Sequence, residues 1–327
     1  LIRGDDGRFY ILEDNLRTPS GVSYMLENRE VTKRIFPDMF AASNVRVIGK
    51  YPLILYDILL QLAPTQISNP VVVLLTPGMY NSAYYEHTFL ARQMGISLVE
   101  GRDLVIDDHK VYMKTTNGLE QVHVIYRRVD DEFLDPLAFN PASVLGVPGL
   151  LTAYRKGNVS IVNAIGNGVA DDKAVYAYVP AMIKYYLNEA PILGNIPTYE
   201  LGEADAREHV FKHIDNMVIK RTNQSGGYGM IMGNSVPEEE WKKARMEIEK
   251  DPRSFIAQPI IKLSTVPCFI DGRLQPRHVD LRPYALCGPN GVQIVPGGLT
   301  RVALKQGSLI VNSSQGGGSK DTWIVDI

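Results

Sequence analysis

Residues 217–232 combine a lysine, several glycines and two short apolar runs in a pattern that could bind a phosphate group. Lys220 ends the first apolar run and offers a point charge to an anion. The glycine-rich stretch behind it consists of Ser225, Gly226, Gly227, Tyr228 and Gly229. Glycines let backbone amides approach a phosphate closely, and the flanking apolar runs predict a β-hairpin. The P-loop pattern is absent, and glycines that only shape the hairpin remain the alternative.

A carboxylate and an amide lie two positions apart near the start of the chain, where residues 8–14 predict a strand. Glu13 and Asn15 should point the same way, because alternate side chains of a strand share a face. Carboxylate and amide oxygens are hard ligands of the kind that Mg²⁺ accepts. The pair predicts a magnesium site, with a solvated strand end that leads into a turn as the alternative.

Two arginines lie inside strand patterns in the last third of the chain. An arginine in a strand costs desolvation energy unless it meets an anion, so Arg282 and Arg301 predict phosphate or carboxylate recognition. An ordinary pair between Asp280 and Arg282 on one strand face is the alternative. Lys173 begins a predicted helix, where it is either a further phosphate contact or a solvated helix end.

A strand, a tight turn and a helix follow one another over residues 71–94. Ligands of such units usually bind at the carboxyl end of the strand. The turn contains four polar candidates for binding an anionic substrate, beside the free amides of the helix, namely Thr76, Tyr80, Asn81 and Ser82. The alternative is that Asn81 or Ser82 caps the helix.

Two other kinds of site are not indicated. His209 and His213 have the spacing of a metal-binding pair on a helix, but no third ligand lies near them in the sequence. We therefore interpret both as surface residues. The Gly-x-Ser-x-Gly pattern of serine hydrolases is absent.

The composition of the 327 residues bounds the class of protein. A hydrophobic fraction of 45% and a charged fraction of 21% are typical of a soluble globular protein with two or three subdomains. The net charge of −2 gives no basic field for nucleic acid or an anionic membrane. Apolar runs are too short to span a bilayer. Two separate cysteines, Cys268 and Cys287, favour a reducing compartment such as the cytoplasm over a disulfide framework.

Hydrophobic periodicity, capping residues and turn residues predict alternating helices and strands. The predicted helices are residues 20–34, 51–62, 82–94, 173–187, 204–213 and 237–250. The predicted strands are residues 8–14, 71–75, 97–99, 104–106, 111–114, 122–127, 159–162, 217–220, 230–232, 255–258, 279–286, 292–295, 300–304 and 309–311. Residues 315–321 are too polar to predict a core strand, and residues 191–197 predict a domain boundary.

The order of these motifs resembles that of the ATP-grasp superfamily. Its members carry two lysines, a glycine-rich hairpin, Asp-x-Arg, a second Arg, an Asn with a Gly-Gly turn and a final Glu-x-Asn. Here Glu13-x-Asn15 comes first instead of last, which is the mark of a circular permutation. Four long segments resemble circularly permuted ATP-grasp proteins of type 2, often called glutathionylspermidine synthase-like, at residues 12–21, 80–84, 126–128 and 311–323.

The resemblance implies a circularly permuted ATP-grasp fold of class α+β or α/β. It divides the chain into four parts. The catalytic subdomain would consist of residues 1–66 and 259–327. An α/β substrate subdomain that resembles the pre-ATP-grasp domain would cover residues 67–165, and the lid subdomain would cover residues 166–258. Members of the family carry a metal-binding Asp just before the position of Leu1. Since Leu1 is not methionine and residues 9–12 already read as a strand interior, we expect the printed chain to begin inside a folded element.

The resemblance also implies an ATP-dependent carboxylate–amine ligase that forms a C–N bond. A substrate carboxylate would attack the γ-phosphate, and an amine would displace phosphate from the resulting acyl phosphate. A small peptide or an amino acid would be the substrate, and ATP and Mg²⁺ would be the cofactors. The alternatives are an ATP-dependent phosphotransferase on the same scaffold and an ATP-binding partner protein with impaired catalysis. Nucleic acid and membranes are not expected partners.

The family roles carry over to single positions of this chain. Lys173, Lys220 and residues 225–229 would bind the phosphates, and Gln258 would lie in the adenine region. Glu13 and Asn15 would hold Mg²⁺, while Arg282 and Arg301 would neutralise the transferring phosphoryl group or the tetrahedral intermediate. The substrate would be bound by Ser20, Thr76, Tyr80, Asn81, Ser82 and Asn312.

Overall fold

The computed structural model describes residues 1–65, 67–223, 229–309, 311 and 317–326. The chain divides into two compact units. Unit 1 comprises Leu1–Asn15, Val169–Arg282 and Thr300–Lys320, and unit 2 comprises Leu16–Gly168, Pro283–Leu299 and Asp321–Ile327. Each unit is therefore assembled from separate stretches of sequence. The division into four parts that the family resemblance implies stays a prediction.

Helices and strands alternate along the described residues, so the predicted mixed class is confirmed. The α-helices are α1 Val22–Ile35, α2 Pro37–Ala42, α3 Tyr51–Gln61, α4 Tyr84–Met94, α5 Asp131–Leu134, α6 Leu150–Arg155, α7 Lys173–Leu187, α8 Ala204–Lys212 and α9 Glu238–Lys250. The strands are β1 Ile2–Arg3, β2 Phe9–Ile11, β3 Val72–Leu75, β4 Ser97–Val99, β5 Leu104–Asp107, β6 Lys110–Thr115, β7 Gly118–Val122, β8 Val124–Arg127, β9 Ser160–Val162, β10 Gly194–Asn195, β11 Tyr199–Glu200, β12 Met217–Arg221, β13 Ile231–Met232, β14 Phe255–Pro259, β15 Thr265–Ile270, β16 Arg273–Arg282, β17 Ala285–Gly288, β18 Gly291–Ile294, β19 Gly297–Val302 and β20 Gly318–Trp323. Within the part of the chain covered by the structure, none of these helices is both long and apolar enough to cross a membrane.

Unit 2 is built on a parallel sheet with the strand order β4-β3-β8-β9. All four residues of β3 are buried, because the strand has a core on each face. Val72 and Leu74 belong to one apolar cluster, and Val73 and Leu75 belong to another. This near-continuous apolar run is what a strand covered on both faces requires.

Helices cover one face of the parallel sheet, and a small antiparallel sheet with a short helix covers the other. Met25 of α1, Leu59 of α3 and Leu90 of α4 pack in the cluster of the first face. The second cluster includes Val111 of β6 and Leu150 of α6. Residues 71–99 therefore form the strand–turn–helix–strand unit that the sequence predicts, with its turn at the carboxyl end of β3.

Arg127, at the end of β8, is a fully buried cation whose hydrogen bonds go mainly to backbone carbonyls. It donates to the carbonyl oxygens of Val129 at 2.8 Å, Asn163 at 2.7 Å and Ala164 at 2.9 Å. The amide of Asn163 in turn donates to the carbonyl of Leu16 at 2.9 Å. The guanidinium thus fixes the loop that holds the first residue of unit 2.

Unit 1 contains an antiparallel sheet with the strand order β11-β14-β12-β13. The hairpin predicted around the glycine-rich stretch is confirmed, since Val218 pairs with Met232 and Ile219 with Ile231. Val210 of α8 and Ile248 of α9 are buried in the cluster that also contains Ile219. The lysine-bearing strand β12 is therefore an interior strand of a packed sheet.

The first residues of the chain pair with a strand that lies far along the sequence. The amino group of Leu1 donates to the carbonyl of Leu281 at 2.7 Å, and the amide of Leu281 donates to the carbonyl of Leu1 at 2.9 Å. β1, β2 and β10 form a three-stranded sheet beside this contact, with β2 shorter than the predicted residues 8–14. Residues near Leu1 and residues near Arg282 are thus neighbours, as a circular permutation requires.

Three strand predictions differ from the structure. Proline explains two of these differences, and the third concerns a strand of polar residues. Residues 279–286 form two strands, because Pro283 lacks an amide hydrogen to continue the ladder. β15 contains Pro267 and was not predicted, yet it lies at the edge of its sheet, where a proline is tolerated. Residues 318–323 form β20 despite their polar character. The predicted strand 309–311 lies partly outside the described residues.

The polar tail is anchored in unit 2 by a buried ion pair. The guanidinium of Arg29 meets the carboxylate of Asp321 at 2.7 Å, and both side chains are less than 5% exposed. Asp321 also accepts a hydrogen bond from the indole of Trp323 at 2.6 Å. A second pair, Arg46 with Asp326, lies on the surface with both side chains more than half exposed.

We expect Asp321→Asn to lower the free energy of unfolding by about 3 kcal/mol, because it leaves the buried Arg29 charge without its counter-charge. The matched surface change Asp326→Asn should cost less than about 1 kcal/mol. Urea unfolding followed by the fluorescence of Trp323, in a Trp241→Phe background, measures both. Equal losses from the two substitutions would show that the Arg29 pair is no stronger than a surface pair.

Candidate functional site in unit 1

The centre of the site is Glu13, a half-buried carboxylate that follows β2. Burial alone raises the pKa of Glu13, but the positive charges of Lys220, Lys173 and Arg301 outweigh it and hold the pKa below its usual range. Glu13 is therefore ionised at neutral pH. Four side chains predicted from separate parts of the sequence are thus close enough to interact electrostatically within one unit.

The two lysines are brought together by a backbone contact between a helix and a strand. Lys173 is the first residue of α7, and its amide donates to the carbonyl of Thr222, just after β12, at 3.1 Å. Asp172 caps the helix by accepting a hydrogen bond from the amide of Ala174 at 2.8 Å. The start of α7 is thereby tied to the end of the strand that carries Lys220.

Lys220 is a cation in a poorly solvated position. Burial lowers the pKa of Lys220 to about 8, the charge of Glu13 opposes this effect, and the charge of Lys173 adds to it. The ammonium donates a hydrogen bond to the side-chain carbonyl of Gln258 on β14 at 2.7 Å. Lys220 is thus mostly protonated at pH 7 and readily loses its proton at mildly alkaline pH.

The arginines occupy the next strands of unit 1. Asp280 of β16 is buried and forms a two-point ion pair with Arg301 of β19, with 2.9 Å between Nε and Oδ1. Asp280 thus binds Arg301, whereas the sequence suggested Arg282 as its alternative partner. Burial lowers the pKa of the Leu1 amino group and is the largest effect on it. This pKa is also shifted by the charges of Asp280, Arg301, Glu13 and Arg282.

The proposed metal ligands lie together, and their chemistry fits Mg²⁺. The amide of Asn15 donates to Oε1 of Glu13 at 3.4 Å, although β2 ends at Ile11 and neither residue lies on the predicted strand. Carboxylate and amide oxygens suit this ion, which takes its other ligands from water and phosphate. The described residues include no cluster of three or more His, Cys, Asp or Glu side chains that could enclose a metal.

The turn after β3 in unit 2 uses neither Asn81 nor Ser82 as the helix cap, because the N-cap residue of α4 is Ala83. Asn81 accepts a hydrogen bond from the amide of Ala83, which precedes α4, at 2.9 Å. Thr76 is buried, and its hydroxyl lies 2.9 Å from Nδ1 of His87. Tyr80 is 98% exposed, and Ser82 is also exposed. Substrate binding by these four side chains stays a prediction.

Ser20 precedes a helix end that a distant carboxylate holds in place. Glu86 of α4 accepts hydrogen bonds from the amides of Gly21 at 2.6 Å and Ser23 at 3.1 Å, at the start of α1. The guanidinium of Arg128 lies 3.6 Å from the same carboxylate. Glu86 was not predicted from the sequence. Its charge among the apolar residues of α4 was the signal that could have identified it.

Some predicted positions carry no structural description. Ser225, Gly226, Gly227, Tyr228 and Asn312 lie outside the described residues. Gly229 is described and has a φ of 67°, a left-handed conformation that glycine adopts without strain.

His209 of α8 and His213, which directly follows the helix, are both exposed, in agreement with their interpretation as surface residues. The rings of His209 and His213 lie 4.5 Å apart, and Nδ1 of His213 is 2.8 Å from the carbonyl of His209.

Two relatives are similar to this chain over 99% of its length. An uncharacterized protein of Synechocystis is 54% identical, and the match covers 68% of that protein. A Frankia alni protein, provisionally named glutamate–cysteine ligase 2-3, is 44% identical over 38% of its length. The chain thus spans about two thirds of the cyanobacterial relative and much less of the actinobacterial one.

A solved structure and a family description agree with the fold. The apo structure of a glutathione synthetase-like effector from Globodera pallida superposes with a TM-score of 0.60, covering 99% of this chain and 73% of that one. At 12% identity, this likeness concerns the fold alone. A family described as circularly permuted ATP-grasp type 2 matches residues 1–303. The chain therefore belongs to the circularly permuted ATP-grasp type 2 family.

Proposed function

We propose that this protein is an ATP-dependent carboxylate–amine ligase that forms an amide bond through an acyl phosphate. The observation that carries the proposal is the cluster of Lys173, Lys220 and Arg301 around the half-buried carboxylate of Glu13. These cations come from α7, β12 and β19, three elements that are separate in sequence. Such a cluster needs an anion to offset its charge.

The balance of charges favours a phosphate ligand. Three cations (Lys173, Lys220 and Arg301) act on Glu13, and the carboxylates Asp14 and Asp280 offset part of their charge. In a poorly solvated site, a charge of this sign attracts a polyanion more strongly than it would in water. A triphosphate satisfies this requirement, which supports ATP as the nucleotide.

Each group of residues has a proposed role toward the nucleotide. Lys173, Lys220 and residues 225–229 would bind the phosphates, and Gln258 would lie in the adenine region. Glu13 and Asn15 would hold Mg²⁺, which supplies charge neutralisation at the phosphate oxygens.

The arginines would act on the reacting groups. In the first step an oxygen of the substrate carboxylate attacks the γ-phosphorus, and the bond to ADP breaks. In the second step an amine nitrogen attacks the acyl carbon, inorganic phosphate leaves, and the amine loses a proton. Arg282 and Arg301 would stabilise the negative charge that develops in both steps, with Arg301 oriented by Asp280.

The substrate is proposed to be an amino acid or a small peptide. The name of the Frankia relative supports this class, because glutamate and cysteine are amino acids. Ser20, Thr76, Tyr80, Asn81, Ser82 and Asn312 remain the proposed substrate contacts. The compartment is proposed to be the cytoplasm, and the described cysteines form no disulfide.

The test is ADP release in the presence of ATP, Mg²⁺ and panels of carboxylates and amines. A ligase should release ADP only when both a carboxylate and an amine are present, and mass spectrometry should find the amide product. ADP release that needs no amine would contradict the ligase and favour a phosphotransferase. Tight ATP binding without any ADP would favour a catalytically impaired binding protein.

We expect ATP affinity to fall as pH rises through about 8. The phosphates bind the protonated form of Lys220. Below the pKa of Lys220 the ATP affinity therefore does not depend on this group, because it is already protonated. Above that pKa, Lys220 must first take up a proton, which weakens ATP binding. Calorimetric titration between pH 7 and pH 9.5 should show a decline of up to about tenfold per pH unit.

Two variants separate Lys220 from other titrating groups. The arginine of Lys220→Arg keeps its charge between pH 7 and pH 9.5, so ATP affinity should fall less steeply with pH in this variant. Lys220→Ala should weaken ATP binding about 10- to 100-fold at pH 7, because it removes a hydrogen bond to a charged group. An unchanged decline in the Lys220→Arg protein would contradict the assignment.

Arg282→Ala should lower kcat about 10²- to 10³-fold, since it removes charge stabilisation from the transition state. The Kd for ATP should change less than about threefold if Arg282 acts on the reacting groups. Arg273→Ala, on the same strand at an exposed position, is the matched control and should leave both constants unchanged. Normal turnover of Arg282→Ala would remove this residue from the catalytic set.

A further inference from the structure

Two polar side chains and a backbone carbonyl form a hydrogen-bonded chain that leads away from the Lys220 ammonium. The ammonium donates to Oε1 of Gln258 at 2.7 Å, and Nε2 of Gln258 donates to the hydroxyl of Thr198 at 3.0 Å. The hydroxyl of Thr198 donates to the carbonyl of Ile196 at 3.0 Å. Gln258 is only 3% exposed. A buried amide with both ends hydrogen-bonded has a fixed position.

The register of the sheet explains why Gln258 meets Lys220. On the antiparallel strands β12 and β14, Lys220 is opposite Ile256 and Val218 is opposite Gln258. Lys220 and Gln258 are therefore diagonal neighbours, a spacing that long side chains can bridge. The contact follows from strand pairing and does not depend on a loop.

The direction of the Gln258 amide follows from the donors around it. An ammonium has only donors, so the amide oxygen must face Lys220. The Thr198 hydroxyl has used its hydrogen on the Ile196 carbonyl and can only accept, so the amide nitrogen must face Thr198. Each hydrogen bond therefore requires the orientation that the other one sets.

We propose that Gln258, oriented by Thr198, is a positioning residue that holds the Lys220 ammonium in place for a phosphate. The inference rests on the proposed ATP site and extends it. The family resemblance puts Gln258 in the adenine region, whereas the hydrogen bonds make its side chain act through Lys220.

A neutral acceptor is suited to this task. The other charged groups that act on Lys220 are Glu13 and Lys173. A carboxylate at position 258 would also accept the hydrogen bond, but it would cancel the charge that attracts the phosphate. An amide oxygen satisfies the buried ammonium and leaves its full charge available to the ligand.

The first test needs no nucleotide. Trace labelling with acetic anhydride, read by mass spectrometry, compares the rate at Lys220 with that at exposed Lys243 in the same protein. Gln258→Leu should raise the relative rate about threefold or more, because the lost hydrogen bond stabilised the unreactive ammonium form. Thr198→Val should raise it less, and Thr198→Ser, which keeps the hydroxyl, should leave it unchanged.

The second test is a double-mutant cycle on the Kd for ATP. Gln258→Leu should weaken binding about tenfold in the wild-type background and less than about twofold in the Lys220→Ala background. Gln258→Glu, which keeps the shape and the acceptor, should also weaken binding. Gln293→Leu, the same change at an exposed strand position, is the control and should have no effect.

The outcomes separate the inference from the function on which it rests. Additive losses in the cycle, or an unchanged labelling rate in Gln258→Leu, would overturn the positioning role. Wild-type protein that binds no ATP would overturn the proposed nucleotide site, and the labelling test would still decide the role of Gln258. If Gln258→Leu does not fold, the comparison of Thr198→Val with Thr198→Ser decides the positioning role of Gln258 in both tests.

Discussion

The architecture of the site depends on one electrostatic constraint. Three cations around Glu13 repel one another, and poorly solvated surroundings strengthen that repulsion. The carboxylate of Glu13 offsets part of it, which requires the segment after β2 to lie among α7, β12 and β19. The pairing of Leu1 with Leu281 holds the start of the chain in unit 1. A second carboxylate, Asp280, fixes Arg301 in the same way. The cations of this cluster are the reason that we propose a phosphate ligand for the site.

Local features of the fold were predictable because they depend on neighbouring residues. The helix over Lys173–Leu187 was predicted with its observed bounds, since Asp172 caps one end and apolar residues recur at helical spacing. The buried run of β3 and the hairpin of β12 and β13 were also recognisable. Errors arose where partners distant in sequence decided the outcome. β20 is the example, because its polar Asp321 is buried against Arg29, which lies 292 residues away.

The site was predictable in its residue types but not in its pairings. Charge and strand pattern singled out Lys220, Arg301 and Glu13, yet nothing local showed that Asp280 would bind Arg301. The role of Gln258 depends on the register of β12 against β14, which one sequence does not reveal. Thr76 and Glu86 illustrate the opposite limit. Thr76 was predicted to contact substrate and Glu86 was missed, yet the polar atoms of both face other groups of unit 2.

The contact between Leu1 and Leu281 has a consequence for synthesis on the ribosome. The two residues are separated by 280 positions, so the first strand emerges long before its partner exists. At translation rates of about 5–20 residues per second, the delay is roughly 15–60 s. During this interval the backbone contact between Leu1 and Leu281 cannot form. The proposed nucleotide site can therefore be completed only after Arg301 has also been synthesised.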